Sequence, residues 1–205
     1  VGKCDHKKKK CKRKIILICH PRKKKRKRNI IVVPGPPGPP GPSGTFTPVY
    51  AFIFDNADQT LTKTPPGSIA RFNQFNQPGS VAVGGILVTA NSIAVPVAGD
   101  YAVLWEVTFL ATDANHQHAA FGVFVNGVLQ DSTRSGEAIF MQQQVGSLDG
   151  DAILSLQAGD VLTLRSLIPA ASTQNDIPLT SIVQYPGANQ PINSASLRVV
   201  RLSPS

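Results

Sequence analysis

No cysteine follows Cys19 in this chain of 205 residues, so a disulfide framework of the kind that staples small secreted domains does not hold the remainder together. Long apolar runs are missing as well. The longest near the start, Ile15 to Cys19, falls far short of the roughly 20 residues a membrane helix needs, so no membrane span is expected. It is also too short for the apolar region of a secretory signal, and basic residues follow where a small-residue cleavage site belongs. Acid is scarce where base is dense. Between Val1 and Pro34, Asp5 is the only acid among 15 Lys and Arg, for a net +14, whereas residues 35–205 hold 6 bases and 11 acids, for a net −5. The overall charge of +9 describes neither part, and electrostatic arguments about partners belong to the first 34 residues. Catalytic signatures are absent too: there is no Gly-x-Ser-x-Gly, no His-Glu-x-x-His and no phosphate-cradling glycine loop. Nothing positions a nucleophile, so the expectation is a protein without enzymatic activity and without a cofactor.

What is present divides at Pro34 and again at Gly44. Residues 1–34 form a basic tail in alternating blocks, basic from Lys7 to Lys14, apolar from Ile15 to Cys19, basic from Arg22 to Arg28 and apolar from Asn29 to Val33. Like charges repel and resist packing in isolation. The apolar blocks, Ile15, Ile16, Leu17 and Ile18 in the first and Ile30, Ile31, Val32 and Val33 in the second, are strand-length and mostly β-branched. Each suits addition as a strand to the sheet edge of another molecule, while the basic blocks oppose self-pairing. Lys7, Lys8, Lys9, Lys10, Lys23, Lys24, Lys25 and Arg26 supply generic contacts to an anionic polymer. They lack the interleaved aromatics that stack bases, so no specific nucleic acid is implied.

Cys4, Cys11 and Cys19 all lie in this tail, and an odd number cannot pair fully within one chain. Neighbouring Lys and Arg favour the thiolate that performs disulfide exchange, and cross-linking between chains is preferred here over a tail with idle thiols. Cys4, His6, Cys11, Cys19 and His20 are ligand types for zinc, but without Cys-x-x-Cys spacing zinc is set aside.

Gly35, Gly38, Gly41 and Gly44 recur every third residue, and five of the six positions between them are Pro. This is the collagen pattern, in which only glycine fits at the axis where three polyproline-type chains meet. As a triple helix, residues 35–44 make a neck of about 30 Å in a trimer. Three triplets are too few to hold three chains against the entropy of ordering them, so the trimerising force has to come from elsewhere.

From Thr45 onward the chain shows short strands separated by turn signals, the pattern of a sandwich or jelly roll. Tyr101, Val103, Trp105, Val107 and Phe109 alternate with Ala102, Leu104, Glu106, Thr108 and Leu110, predicting one long strand with a strongly apolar face. Phe121 to Val125 repeats the pattern, and Asn126-Gly127 predicts a type I′ hairpin into Val128-Leu129. Further strands are predicted at Val49 to Phe54, Ile69 to Phe72, Ile86 to Thr89, Ser92 to Val97, Ala138 to Val145, Ala152 to Leu156, Val161 to Leu167 and Ser196 to Leu202. Gly99-Asp100 and Ala158-Gly159-Asp160 read as turns, and so does Asp149-Gly150-Asp151, which lacks the acids of a calcium loop. His116 and His118 read as an exposed polar loop rather than a metal site. Ala102, Leu104 and Leu110 make the second face of the Trp105 strand apolar as well, so part of it is expected to be covered by neighbouring subunits.

These features together resemble the C1q and tumour-necrosis-factor type trimeric jelly rolls, and within them the collagen-like BclA-type glycoproteins of the bacterial spore surface. The residues that carry the resemblance are the Gly-Pro-Pro neck before the head, Val97-Ala-Gly-Asp-Tyr101, Phe121-Gly-Val-Phe-Val-Asn-Gly127, Ala152-Ile-Leu-Ser-Leu-Gln-Ala-Gly-Asp-Val161 and Asn193-Ser-Ala-Ser-Leu-Arg-Val-Val-Arg-Leu202. The resemblance implies a homotrimer of ten-stranded jelly rolls, residues 45–205, whose apolar sheets meet at a threefold axis, where some heads of the family bind calcium. It also implies assembly onto a spore surface or exosporium from the mother cell, without a standard secretory signal. The neck here is far shorter than the usual stalk, and the basic tail differs from the usual spore-targeting leader.

The expected function is a structural component of a spore surface layer or appendage. Heads trimerise, necks wind together, and tails dock on spore coat proteins, on an anionic polymer, or on the head of the next trimer to build a filament locked by cysteine cross-links. The alternative is a trimeric ligand- or receptor-binding module, an adhesin or a phage or viral fibre tip, tethered by its basic tail.

Overall fold

The computed structural model describes residues 47–63, 68–71, 78–112 and 117–203. The tail and neck therefore lie outside the described residues, and so do Phe72 and His116. Among the described residues the chain forms fifteen strands and one 3-10 turn, where ten strands were expected.

Period-two alternation sets the framework. Along β6 (Gly99–Leu110) the alternate residues Tyr101, Val103, Trp105, Val107 and Phe109 are all buried, as their spacing requires of a strand with one face on the core. On one side β6 pairs along its whole length with β10 (Val145–Leu156), and on the other with β15 (Ala195–Ser203). β15 pairs in turn with β1 (Tyr50–Asp55), and β1 with β3 (Val81–Val83). β12 (Asp176–Leu179) and β2 (Gln59–Thr62) complete this seven-stranded sheet at the far end of β6.

The second sheet contains six strands. In it β11 (Val161–Ser166) lies between β5 (Ile93–Ala94) and β7 (Gln117–Val125), with β4 (Leu87–Val88) beyond β5 and with β8 (Val128–Leu129) and β9 (Ser135–Ile139) pairing β7. A separate hairpin joins β13 (Ile182–Tyr185) to β14 (Ala188–Pro191). The chain alternates between the two sheets, and its last strand returns beside its first. That connectivity of two facing antiparallel sheets is a jelly roll. Inward residues of both sheets form one core in which Tyr101, Phe109, Phe121, Ile53, Leu162, Leu164 and Leu197 are fully buried.

At the centre of this core the Trp105 indole lies against Phe121 with ring centroids 6.1 Å apart, and its Nε1 donates to the Thr133 carbonyl at 2.9 Å. Thr133 follows β8 in the 3-10 turn Asp131–Thr133, and its hydroxyl accepts from the Val123 amide at 2.8 Å. A buried indole N–H and a buried strand amide are thus both satisfied by one turn.

Two expected turns prove to be strand. Asp149-Gly150-Asp151 sits in the middle of β10, paired with Glu106, Trp105 and Leu104, and Gly99-Asp100 opens β6. Gly150 is there because the indole lies over β10: a Cβ at this position would stand 2.5 Å from Trp105 Nε1. The strand expected at Ala138 to Val145 is instead the end of β9, the connection through residues 140–144 and the start of β10. Ile69 makes only an isolated bridge to Arg165. The two remaining turns hold, with Asn126 at φ 50° and Gly127 at φ 83° closing the β7–β8 hairpin and Gly159 at φ 90°.

Candidate functional site

Both faces of the seven-stranded sheet carry apolar residues, and only one of them belongs to the core. In β1, Ala51, Ile53 and Asp55 point inward and are buried, which puts Tyr50, Phe52 and Phe54 on the outward face. Register extends this face across the sheet in rows. One row runs Ile153, Ala102, Val200, Tyr50 and Val83 through β10, β6, β15, β1 and β3, and every member is apolar. The next runs Asp151, Leu104, Arg198, Phe52 and Val81, and the one after it Asp149, Glu106, Ser196 and Phe54.

Exposure on this face is high for residues of this type. Ile153 is 68% exposed, Val81 38% and Leu104 37%, with Tyr50, Phe52, Phe54, Ala102 and Val200 half-buried. Phe52 stacks on Phe54 with centroids 5.6 Å apart, and the Arg198 guanidinium lies 5.1 Å from the Phe52 ring centroid. Phe52, Leu104, Arg198 and the carboxylates of Glu106, Asp149 and Asp151 line a shallow cleft of about 300 Å³. A contiguous apolar field bordered by charge on an otherwise finished sandwich is the signature of a surface that another molecule covers.

The edge of the face is held by hydrogen bonds between strands. The Asp100 carboxylate accepts from the Ser155 hydroxyl at 2.6 Å and from the Ser203 hydroxyl at 3.0 Å, clamping β6 to both β10 and β15. These two bonds, Ser155 first, hold its carboxyl below the usual aspartate value. Behind it Tyr101 is buried, which pushes its phenol up from its ordinary value, and its hydroxyl donates to the Val97 carbonyl at 2.7 Å.

Residues singled out in the sequence fall as follows. The cysteines, the neck glycines, the apolar docking blocks and the basic blocks of the tail all lie outside the described residues. Ala102, Leu104 and Leu110 do stand on the face opposite Trp105, as expected. His118 is an exposed residue of β7 rather than part of a loop, and its backbone amide and carbonyl both bond the Gln174 side chain. A polar cleft of about 690 Å³ beside it is lined by Thr112, Gln117 and residues 171–176. Among the described residues no group of three or more His, Cys, Asp or Glu could hold a metal ion. No helix among them is long and apolar enough to cross a membrane. Tyr50, Phe52, Arg198 and Ile153 were not picked out from sequence. Their signal was there in the unbroken run of apolar residues from Val49 to Phe54, where a strand wet on one face would alternate with polar residues.

No family model matches this chain, and no curated protein matches it. Among solved structures it is similar to Eiger, a tumour-necrosis-factor protein from S. frugiperda, with 14% identity over 78% of this chain and 96% of that one and a TM-score of 0.49.

Proposed function

We propose that this chain is a non-enzymatic structural component of a bacterial spore surface layer or surface appendage, a homotrimer through its C-terminal head that attaches or polymerises through its N-terminal tail. The observation that supports the reading is the outward apolar face of the seven-stranded sheet, running from Ile153 through Tyr50 to Val83. A face of this kind needs a cover, and the neck says what kind. Gly35, Gly38, Gly41 and Gly44 require two further copies of the same segment, and three triplets cannot recruit them unaided. Association of heads through apolar sheet surface supplies the missing force and delivers three necks to one place. Three tails then gather about forty positive charges, so that weak contacts of each with an anionic layer add. Cys4, Cys11 and Cys19 lock whatever joint the tails make, and Ile15 to Cys19 and Asn29 to Val33 add as strands to an acceptor sheet.

Electron microscopy of the purified full-length chain, with and without reductant and after deletion of residues 1–29, tests this reading. Filaments or tail-linked assemblies that shorten in reductant and vanish on deletion are expected. Unchanged discrete trimers under all three conditions refute polymerisation through the tail, and single protomers refute the trimer itself.

A further inference from the structure

Opposite charges on the outward face are held apart rather than paired. Asp151 lies on β10 at one border of the sheet and Arg198 on β15, with Leu104 of β6 between them in the same row. Neighbouring strands are about 4.8 Å apart, so their backbones are roughly 10 Å apart with a leucine in the way. Among the described residues Arg71 pairs with Asp55 and Arg134 with Asp131, and neither Asp151 nor Arg198 joins these ion pairs. The β10 border is also open. Its twelve residues pair with β6 on one side, and among the described residues none of the backbone hydrogen bonds made outside the strand ladders uses a β10 residue.

A closed ring of three copies joins two different surfaces of each protomer, not one surface to itself. Resting on the trimer reading above, we propose that these two surfaces are the β10 border and the β15–β1 face, with Asp151 of one copy paired to Arg198 of the next and Ile153 packed on Val200 and Tyr50 of that neighbour. Register carries the assignment. With a threefold axis set near the mean strand direction, rotation keeps height along the strands, and each row of one copy then faces the same row of its neighbour. Ile153 shares its row with Val200 and Tyr50, and Asp151 shares its row with Arg198 and Phe52. Apolar therefore meets apolar and carboxylate meets guanidinium without a slip. A slip of two residues sets Asp151 against the apolar row or Ile153 against the guanidinium, leaving a charge buried without its partner. The pair thus fixes the height at which the copies lock, while the apolar row holds them together. Arg198 is prepared for the role, since its guanidinium already rests against the Phe52 ring.

The test is a charge swap in the full-length chain under reductant: Arg198→Glu, Asp151→Arg and the two combined, followed by sedimentation across a dilution series. Each single reversal is expected to raise the concentration at which single protomers appear by roughly tenfold or more, and the double variant, which carries the pair with its signs exchanged at every contact, to recover most of the loss. Arg198→Gln, which removes the charge without reversing it, shifts the midpoint the same way by less and serves if a reversal prevents folding, as circular dichroism will show. Variants that assemble like the parent, or a double variant no better than the worse single, overturn the pairing and leave the trimer standing. A parent chain that sediments as a single protomer at micromolar concentration overturns both.

Discussion

Replacing Gly150 by alanine probes the packing at the centre of the head. The added Cβ would lie 2.5 Å from Nε1, 2.6 Å from Cε2 and 2.7 Å from Cζ2 of Trp105, all far inside van der Waals contact. The indole has nowhere to retreat, because Phe121 packs against it and its N–H is committed to the Thr133 carbonyl. Forcing a methyl into such a site costs about 1–3 kcal/mol. If the ring shifts and the Thr133 carbonyl is left unpaired, about 1–3 kcal/mol more is lost. Alanine returns roughly 0.5–1 kcal/mol by restricting the unfolded chain. The expected net loss is about 2–4 kcal/mol, which for a domain of this size lowers the melting temperature by roughly 5–15 °C.

The assay is thermal and denaturant unfolding at fixed protomer concentration, since an associating protein melts higher when concentrated. Trp105 is the only tryptophan, so its fluorescence reports this site directly. The decisive comparison is Gly150→Ala in a Trp105→Phe background followed by circular dichroism. The three atoms the methyl strikes belong to the indole, so the alanine should there become close to neutral. A Gly150→Ala protein within about 0.5 kcal/mol of the parent, or one whose penalty is the same in both backgrounds, refutes the argument that glycine at this position exists to admit the ring.

Two further outcomes follow from local geometry. Asn126→Ala places a Cβ residue without a side-chain acceptor at φ 50° and removes both the bond from the Asn126 amide to Asp160 and the bond from the Val161 amide to Asn126, so unfolding should register a loss of about 1–3 kcal/mol, whereas Asn126→Gly should recover part of it. Asp100 has a carboxyl held below its unfolded value, so its contribution to stability is present above that unfolded value and is lost as pH falls through the lower folded one; Asp100→Asn should flatten the acid limb of stability against pH, and an unchanged limb would show that the Ser155 and Ser203 hydroxyls do not clamp it.

Alternation announced β6 and β7, and apolar runs announced β1, β11 and β15, because each of these strands buries a face in the core and burial constrains its sequence. Those missed are short or polar and owe their strand geometry to a neighbour. β12 carries Pro178 and is defined by pairing with β2, while β13 and β14 form a mostly exposed hairpin. The reading of Asp149-Gly150-Asp151 as a turn failed for an instructive reason: acid and glycine favour turns on their own, and nothing local reveals a tryptophan 45 residues earlier that needs the missing side chain. The candidate face was half legible. A second apolar face on the Trp105 strand was visible from alternation, but which strands flank it, and therefore that Ile153, Val200 and Tyr50 fall in one row, depends on register between segments far apart in sequence.

The two outward faces of the sandwich differ in a way that bears on how copies associate. On the six-stranded sheet, β11 turns Thr163 and Arg165 outward from the core residues Leu162 and Leu164. The Arg165 guanidinium lies 4.8 Å from the Phe124 ring centroid, so one outward aromatic is already covered by a cation of its own chain, and Leu129 lies over Gly122 beside it. The middle of that sheet is covered by its own residues, while Leu87 and Val161 stay exposed toward the β4 edge. On the seven-stranded sheet the corresponding arginine, Arg198, covers Phe52 alone and leaves the row from Ile153 to Tyr50 open. One broad apolar face together with one open border forms a ring that closes. Growth in the proposed filament then has to come from a separate element, and the tail, at +14 against a remainder at −5, carries the opposite charge. A closing contact that is mainly apolar and a non-closing one that is mainly charged make a specific demand: with the cysteines reduced, raising salt should weaken joints between trimers well before it disturbs the trimers, since screened surface charge fades with ionic strength and buried apolar area does not.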